Sequence, residues 1–131
     1  METGDTLEFQ YTVQSQDLAK TLAIDPDDHF PEVLATSRMV AFMELAAARL
    51  MKPILKDGEL SVGVNVNINH LAATPNGTQI TAIATYTGME GKLHAFSVEL
   101  HDQGGLAGSG THTRAIISTE RLLKGAEARN Q

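Results

Sequence analysis

Four apolar side chains, Leu7, Phe9, Tyr11 and Val13, alternate with polar ones in LEFQYTV, a period of two that predicts a half-buried strand over residues 7–13. Two prolines and three aspartates then break any regular element in IDPDDHFPEV, residues 24–33, so an irregular segment able to cover something is expected there. The pattern changes again from residue 37. A breaker-free run rich in Ala, Met and Leu extends to Met51 with Pro53 behind it, and Thr36 or Ser37 offers an N-cap, which predicts a helix over 37–51. Around that helix Arg38, Arg49 and Lys52 share one narrow side, yet Phe42 and Leu45 lie in the same sector. Apolar residues therefore surround almost the whole helix, which should be mostly buried, with a sheet wrapped around it.

The rest of the chain can supply that sheet. In SVGVNVNINHLA, Val62, Val64, Val66, Ile68 and His70 fall on one face, and Ser61, Gly63, Asn65, Asn67 and Asn69 on the other. TPNG is a turn, TQITAIATYT a strand, GMEG a tight connection, KLHAFSVELHD a strand, QGG a turn and LAGSGTHTRAIIS a last strand. Long consecutive strands on short loops predict antiparallel pairing. After Thr119 the polar tail ERLLKGAEARNQ is expected to hold a short helical turn and a disordered end. No repeat or linker divides the 131 residues, so one domain, 1–131, is expected.

Composition narrows the function classes. The chain is 42% hydrophobic and 20% charged, as a folded protein is. No apolar run is long enough to span a membrane, and METGDTLEFQ lacks the basic and apolar regions of a secretory signal, so no membrane partner and a cytoplasmic location are expected. Sixteen acidic against ten basic residues give a net charge of -6, with the basic residues scattered, which argues against nucleic acid but leaves room for one small anionic ligand. Without cysteine there is no thiolate zinc site or Cys nucleophile, and the histidines show no metal-ligand spacing, so no metal is expected.

Two side chains stand out. Glu44 is faced across one helical turn by Val40, Ala41, Ala47 and Ala48, none of which can pair with it. A carboxylate among alkyl groups is either satisfied elsewhere in the fold, exposed at a subunit junction, or held for acid-base work. His70 continues an otherwise apolar strand face aimed at the helix layer, where it is either a satisfied core histidine or a partner for that carboxylate. Thr36 lies eight residues before Glu44, about 80° away around the helix, and can both cap and border the same cavity. Gly63 reads as a close backbone approach on the face opposite His70, and Arg114, two residues after His112, reads by default as a surface arginine, the other reading being one that binds an anion or a carboxylate.

The order of strand, irregular cover, buried helix and long antiparallel strands resembles the hot-dog fold, an α+β architecture in which a curved antiparallel sheet wraps a central helix. More narrowly, FPEVLATSRMVAFMELAAARLM, SVGVNVNINHLAATPNG and GSGTHTRAII are similar to the corresponding segments of the fluoroacetyl-CoA thioesterase family, over about residues 30–117. The resemblance implies a catalytic triad of Thr36, Glu44 and His70, with Gly63 near the acyl thioester carbonyl and Arg114 in support. It also places Phe30 in the lid over the acyl pocket. Because DPDDH precedes Phe30 where an aromatic lid is expected, thioester hydrolysis carries over and the fluorinated substrate does not.

The implied reaction is hydrolysis of a short acyl-CoA, with no cofactor beyond coenzyme A in the substrate. Glu44 acts as nucleophile or as base for water, His70 moves or stabilises protons, and Thr36 attacks or orients the acyl group. The phosphates would fall to Lys52, Lys56 or Lys92. A homodimer is expected, with a tetramer as the further option. Enoyl-CoA hydration is the rival chemistry, disfavoured because the helix has no aspartate–histidine pairing, and a non-catalytic acyl-CoA-binding module is the rival outside enzymes.

Overall fold

Each run of alternating residues becomes one strand of a single sheet. In the computed structural model, which describes residues 1–131, these are β1 (Thr6–Thr12), β2 (Glu59–His70), β3 (Gln79–Glu90), β4 (Leu93–Asp102) and β5 (Gly105–Ser118). All neighbours are antiparallel, in the order β1-β3-β4-β5-β2. Two-residue turns join β3 to β4 and β4 to β5, with Gly91 at φ 62° supplying the left-handed backbone that the first turn requires. β2 therefore lies at one edge, twelve residues long, with its outer backbone unpaired.

The helix α1 (Thr36–Met51) lies across one face of the sheet. Met39, Phe42, Met43, Ala46, Ala47 and Met51 are buried against Ile80, Ala82, Ala84, Phe96, Val98 and Leu100. The small alanines of β3 let the large helix residues seat closely, and each Met or Phe so buried contributes about 1.5–3 kcal/mol. At the edge of the core Phe42 stacks near Tyr11, ring centroids 4.7 Å apart. The helix is less enclosed than its apolar circumference predicts. The sheet covers one side only, and Leu45 and Arg49 on the other stay exposed.

A buried carboxylate that the sequence pattern does not single out sets where α1 begins. Asp17, fully buried after β1, accepts hydrogen bonds from Tyr11 Oη (2.8 Å), the Gln14 amide (2.9 Å) and Arg38 Nε (2.9 Å). Its own carbonyl accepts from the Ala35 amide at 2.9 Å, immediately before Thr36. Burial and the bond to Asp17 push the Tyr11 hydroxyl above its ordinary value.

Three expectations change. Ala35, with no capping side chain, occupies the N-cap, so Thr36 is the first helical residue and its hydroxyl is free for another partner. A β-bulge shifts the β2–β5 register between Gly63 and Asn65, so the alternation of β2 reverses at Val64. The tail, where a short turn and a disordered end are expected, forms α2 (Thr119–Arg129), started by Ser118 Oγ accepting from the Arg121 amide at 3.3 Å. None of the helices is long and apolar enough to cross a membrane.

Candidate active site

Both anomalous side chains find partners, and the partners differ. At the start of α1, Thr36 Oγ1 lies 2.8 Å from His70 Nδ1 at the end of β2. The imidazole's other nitrogen, Nε2, is buried without a protein partner. His70 does face the helix layer, as its strand position predicts, and the hydroxyl freed from capping is what meets it.

Glu44 sits two turns further along α1, about 12 Å by helix rise from Thr36. It is satisfied from across the sheet. Arg114 Nη1 donates to Glu44 Oε1 at 2.9 Å, and Oε2 has no protein partner. The same guanidinium donates through Nε to Ser61 Oγ (3.0 Å), through Nη2 to the Ser61 carbonyl (2.9 Å) and through Nη1 to His112 Nε2 (3.1 Å). With 6% of its surface exposed, Arg114 is a buried clamp rather than a surface arginine.

Those contacts also assign the imidazole of His112. A guanidinium can only donate, so Nε2 accepts, the proton resides on Nδ1, and Nδ1 donates to the Asn65 carbonyl at 2.7 Å. Burial holds His112 below the usual histidine range, and the Arg114 charge adds to this. The Asn65 bond and Glu44 act in the opposite sense. His112 is thus a neutral relay between the bulge backbone and the clamp.

The bulge explains Gly63. In an unbroken strand it would face away from His70, but the extra residue at Val64 puts Gly63 on the helix side, paired with Arg114. A Cβ there would run into Glu44 Oε1, so the glycine is what admits the carboxylate. Ser61, two residues back, joins the site for the same reason. Both are legible from sequence only if the glycine in β2 is read as a bulge.

Phe30 does not join either group. It stands 45% exposed in the segment before α1 and lines none of the cavities. One chain thus holds a hydroxyl–imidazole pair and, a helix segment away, a clamped carboxylate against a bare backbone.

Residues 13–120 match the family described as fluoroacetyl-CoA-specific thioesterase. The fluoroacetyl-CoA thioesterase of Streptantibioticus cattleyicolor is 37% identical over 124 residues, 93% of this chain and 89% of that protein. Among solved structures, a phenylalanine-to-alanine variant of a fluoroacetyl-CoA-specific thioesterase superposes with a TM-score of 0.93 at 34% identity, covering 99% of this chain and 98% of the other. A threonine-to-serine variant in complex with acetyl-CoA gives 0.92 at 33% identity, covering 100% of each chain. A thioesterase superfamily member from Thermus thermophilus gives 0.86 at 26%, covering 98% and 94%.

Proposed function

The chain belongs to the fluoroacetyl-CoA-specific thioesterase family and is a hot-dog acyl-CoA thioesterase, and from that premise we propose that it cleaves a short-chain acyl-CoA at a site completed by a second copy of itself. Thr36, Glu44 and His70 are the catalytic residues of this reading. Gly63 flanks the acyl carbonyl, Arg114 fixes the carboxylate, Phe30 forms part of the lid, and the reaction is cytoplasmic.

The separation of the two groups within one chain carries the proposal. Thr36 bonds to His70, while Glu44 lies about 12 Å along the helix and bonds to Arg114. The two groups flank opposite ends of β2, the long free edge, on which Leu60, Val64 and Val66 are exposed. Such an edge invites pairing with another strand. Antiparallel pairing of two β2 strands about a two-fold near Val66 and Asn67 sets Gly63 of one copy opposite His70 of the other. Each carboxylate then meets the hydroxyl–imidazole pair of the partner, and one dimer holds two sites.

In this arrangement Glu44 Oε2 adds to the thioester carbon and the carbon–sulfur bond breaks. The thiolate leaves as coenzyme A on taking a proton from His70. Water, losing a proton to the same imidazole, cleaves the resulting anhydride, which frees the acid and restores Glu44. Thr36 Oγ1 holds the ring so that Nε2 faces the exchange. The oxygen left free on Glu44 and its contact with Gly63 support attack by the carboxylate itself.

Thiol release from a panel of acyl-CoAs tests the reaction. Glu44→Ala and His70→Ala should each lose at least about a hundredfold in kcat. Wild type no faster than Glu44→Ala would leave only an acyl-CoA binder. Co-expression of the two variants tests the shared site, because random mixing returns about one quarter of wild-type activity when each site draws on two chains. No recovery would place the whole site in one chain. Single-turnover hydrolysis in oxygen-18 water that labels the Glu44 carboxylate establishes the anhydride, with water attacking the Glu44 carbonyl carbon. Label confined to the product is shared by water attack on the acyl carbon and by Glu44 acting as a base, and borohydride reduction of Glu44 during turnover, which only the anhydride permits, separates these two.

A further inference from the structure

His112 takes no part in the exchange of bonds proposed above, yet its imidazole is hydrogen-bonded to the arginine that holds Glu44. The ring is buried on β5 beside Phe96 of β4, centroids 6.3 Å apart, and both of its nitrogens are committed. Nδ1 donates to the Asn65 carbonyl at 2.7 Å, just past the bulge of β2, and Nε2 accepts from Arg114 Nη1 at 3.1 Å. Arg114 on the same strand and Glu44 on α1 are the charged groups that face the ring. From β2 it meets the Asn65 carbonyl and the bare backbone of Gly63.

One nitrogen of the guanidinium decides where Glu44 sits. Nε and Nη2 both go to Ser61, which fixes the plane along one edge. Nη1 carries two hydrogens, of which one goes to Glu44 Oε1 at 2.9 Å and the other to His112. The hydrogen accepted by His112 therefore leaves its twin aimed at the carboxylate. Without that acceptor both hydrogens of Nη1 would compete for Glu44, whose side chain is 39% exposed and has room to turn. Burial and the Arg114 charge keep the ring neutral, as this role requires. A proton on Nε2 would oppose Nη1 and compete with it for Glu44 Oε1, 4.0 Å away.

On the thioesterase reading given above, we propose that His112 is a positioning residue for the reaction: as a neutral imidazole it ties Arg114 to the bulge backbone and so holds Glu44 in its attacking pose. The line of contacts Asn65–His112–Arg114–Glu44 runs from β2 through β5 to α1. A residue that aims the reacting carboxylate without touching the coenzyme changes kcat and leaves KM in place.

Thiol release from acetyl-CoA and melting temperature are to be measured for His112→Leu, His112→Gln, Arg114→Met and the double variant His112→Leu, Arg114→Met. Leucine fills the space of the ring without an acceptor, so kcat should fall about tenfold while KM stays within about twofold of wild type. Glutamine returns an acceptor to Nη1 and should recover at least about threefold over leucine. In the Arg114→Met background, leucine should cost less than about a further twofold, because one residue acts through the other. A tenfold loss that persists in that background, or glutamine no better than leucine, overturns the proposal and leaves His112 a packing residue. Where His112→Leu does not fold, nitrogen-15 NMR of histidine-labelled wild type decides. A proton on Nδ1 with Nε2 bare supports the proposal, and a proton on Nε2 overturns it. If wild type releases no thiol from any acyl-CoA, the thioesterase reading fails and the positioning role fails with it.

Discussion

Alanine at Gly63 is the smallest change that separates catalysis from stability in this chain. The backbone permits it, since Gly63 is not among the glycines at positive φ. The added methyl would overlap Glu44 Oε1 and come within 3.2 Å of His112 Cε1 and 3.3 Å of Glu44 Cδ. Of these neighbours the carboxylate is the one that can yield, because it ends a flexible side chain that is 39% exposed. Swinging it outward gives up a partly exposed ion pair worth about 1 kcal/mol, a drop of roughly 4 °C in Tm for a domain of this size. The kinetic consequence is larger. Displacing a reacting group by about 1 Å costs on the order of a hundredfold in rate. Gly63→Ala should therefore melt within about 5 °C of wild type, while thiol release from acetyl-CoA falls at least about a hundredfold in kcat/KM. Gly110→Ala is the contrasting case: its methyl would meet the Asn67 carbonyl and the Ile68 backbone of β2, which cannot swing away. That variant should lose several kcal/mol or fail to fold. Activity of Gly63→Ala within threefold of wild type would refute the reasoning, and so would a loss of stability as large as that of Gly110→Ala.

Other outcomes follow from the same contacts. Arg114→Lys keeps the charge but cannot reach Ser61, Glu44 and His112 together, so kcat/KM should fall at least about tenfold in steady-state assays. Asp17→Asn removes the counter-charge of Arg38 and turns one acceptor of a fully buried group into a donor, and urea denaturation should report a loss of about 2–3 kcal/mol. His112 has a depressed value in the fold, so the unfolded chain binds its proton first as pH falls. Its contribution is complete above the ordinary histidine range near 6.5 and is lost as pH drops through the lower folded value. Urea unfolding of wild type between pH 8 and pH 5 should show this decline, at most about 1.4 kcal/mol per pH unit, and His112→Gln should flatten it.

Local periodicity carries most of the fold in the sequence. β1 exposes and half-buries alternate residues as its period predicts, and the hairpin turns fall at the glycines. Contacts that depend on where two elements end are harder to read. Thr36 precedes an apolar run, where capping is the common role of threonine, and only the Asp17 cluster, which places Ala35 at the N-cap, releases its hydroxyl to His70. Asp17 itself lies in an unremarkable SQD, and its partners are Tyr11 and Gln14 from the segment just before it and Arg38 from the helix 21 residues on.

Glu44 shows why the rest was not legible. Its neighbours on the helix correctly exclude a local partner, and its actual partner is 70 residues away on β5. A strictly alternating strand would keep that partner from Glu44's neighbour Gly63, because it assigns Gly63 and Ser61 to the far face of β2. One extra residue at Val64 reverses the assignment, and the glycine, the serine that braces Arg114 and the carboxylate come to share one face. His70 lies beyond the bulge, where the original alternation still holds. The bulge therefore puts both ends of β2 that carry the proposed site, at Gly63 and His70, on the helix side of the sheet. Two such strands related by a two-fold can then face carboxylate to imidazole, an arrangement that an unbroken strand would not allow with Gly63 and His70 on opposite faces.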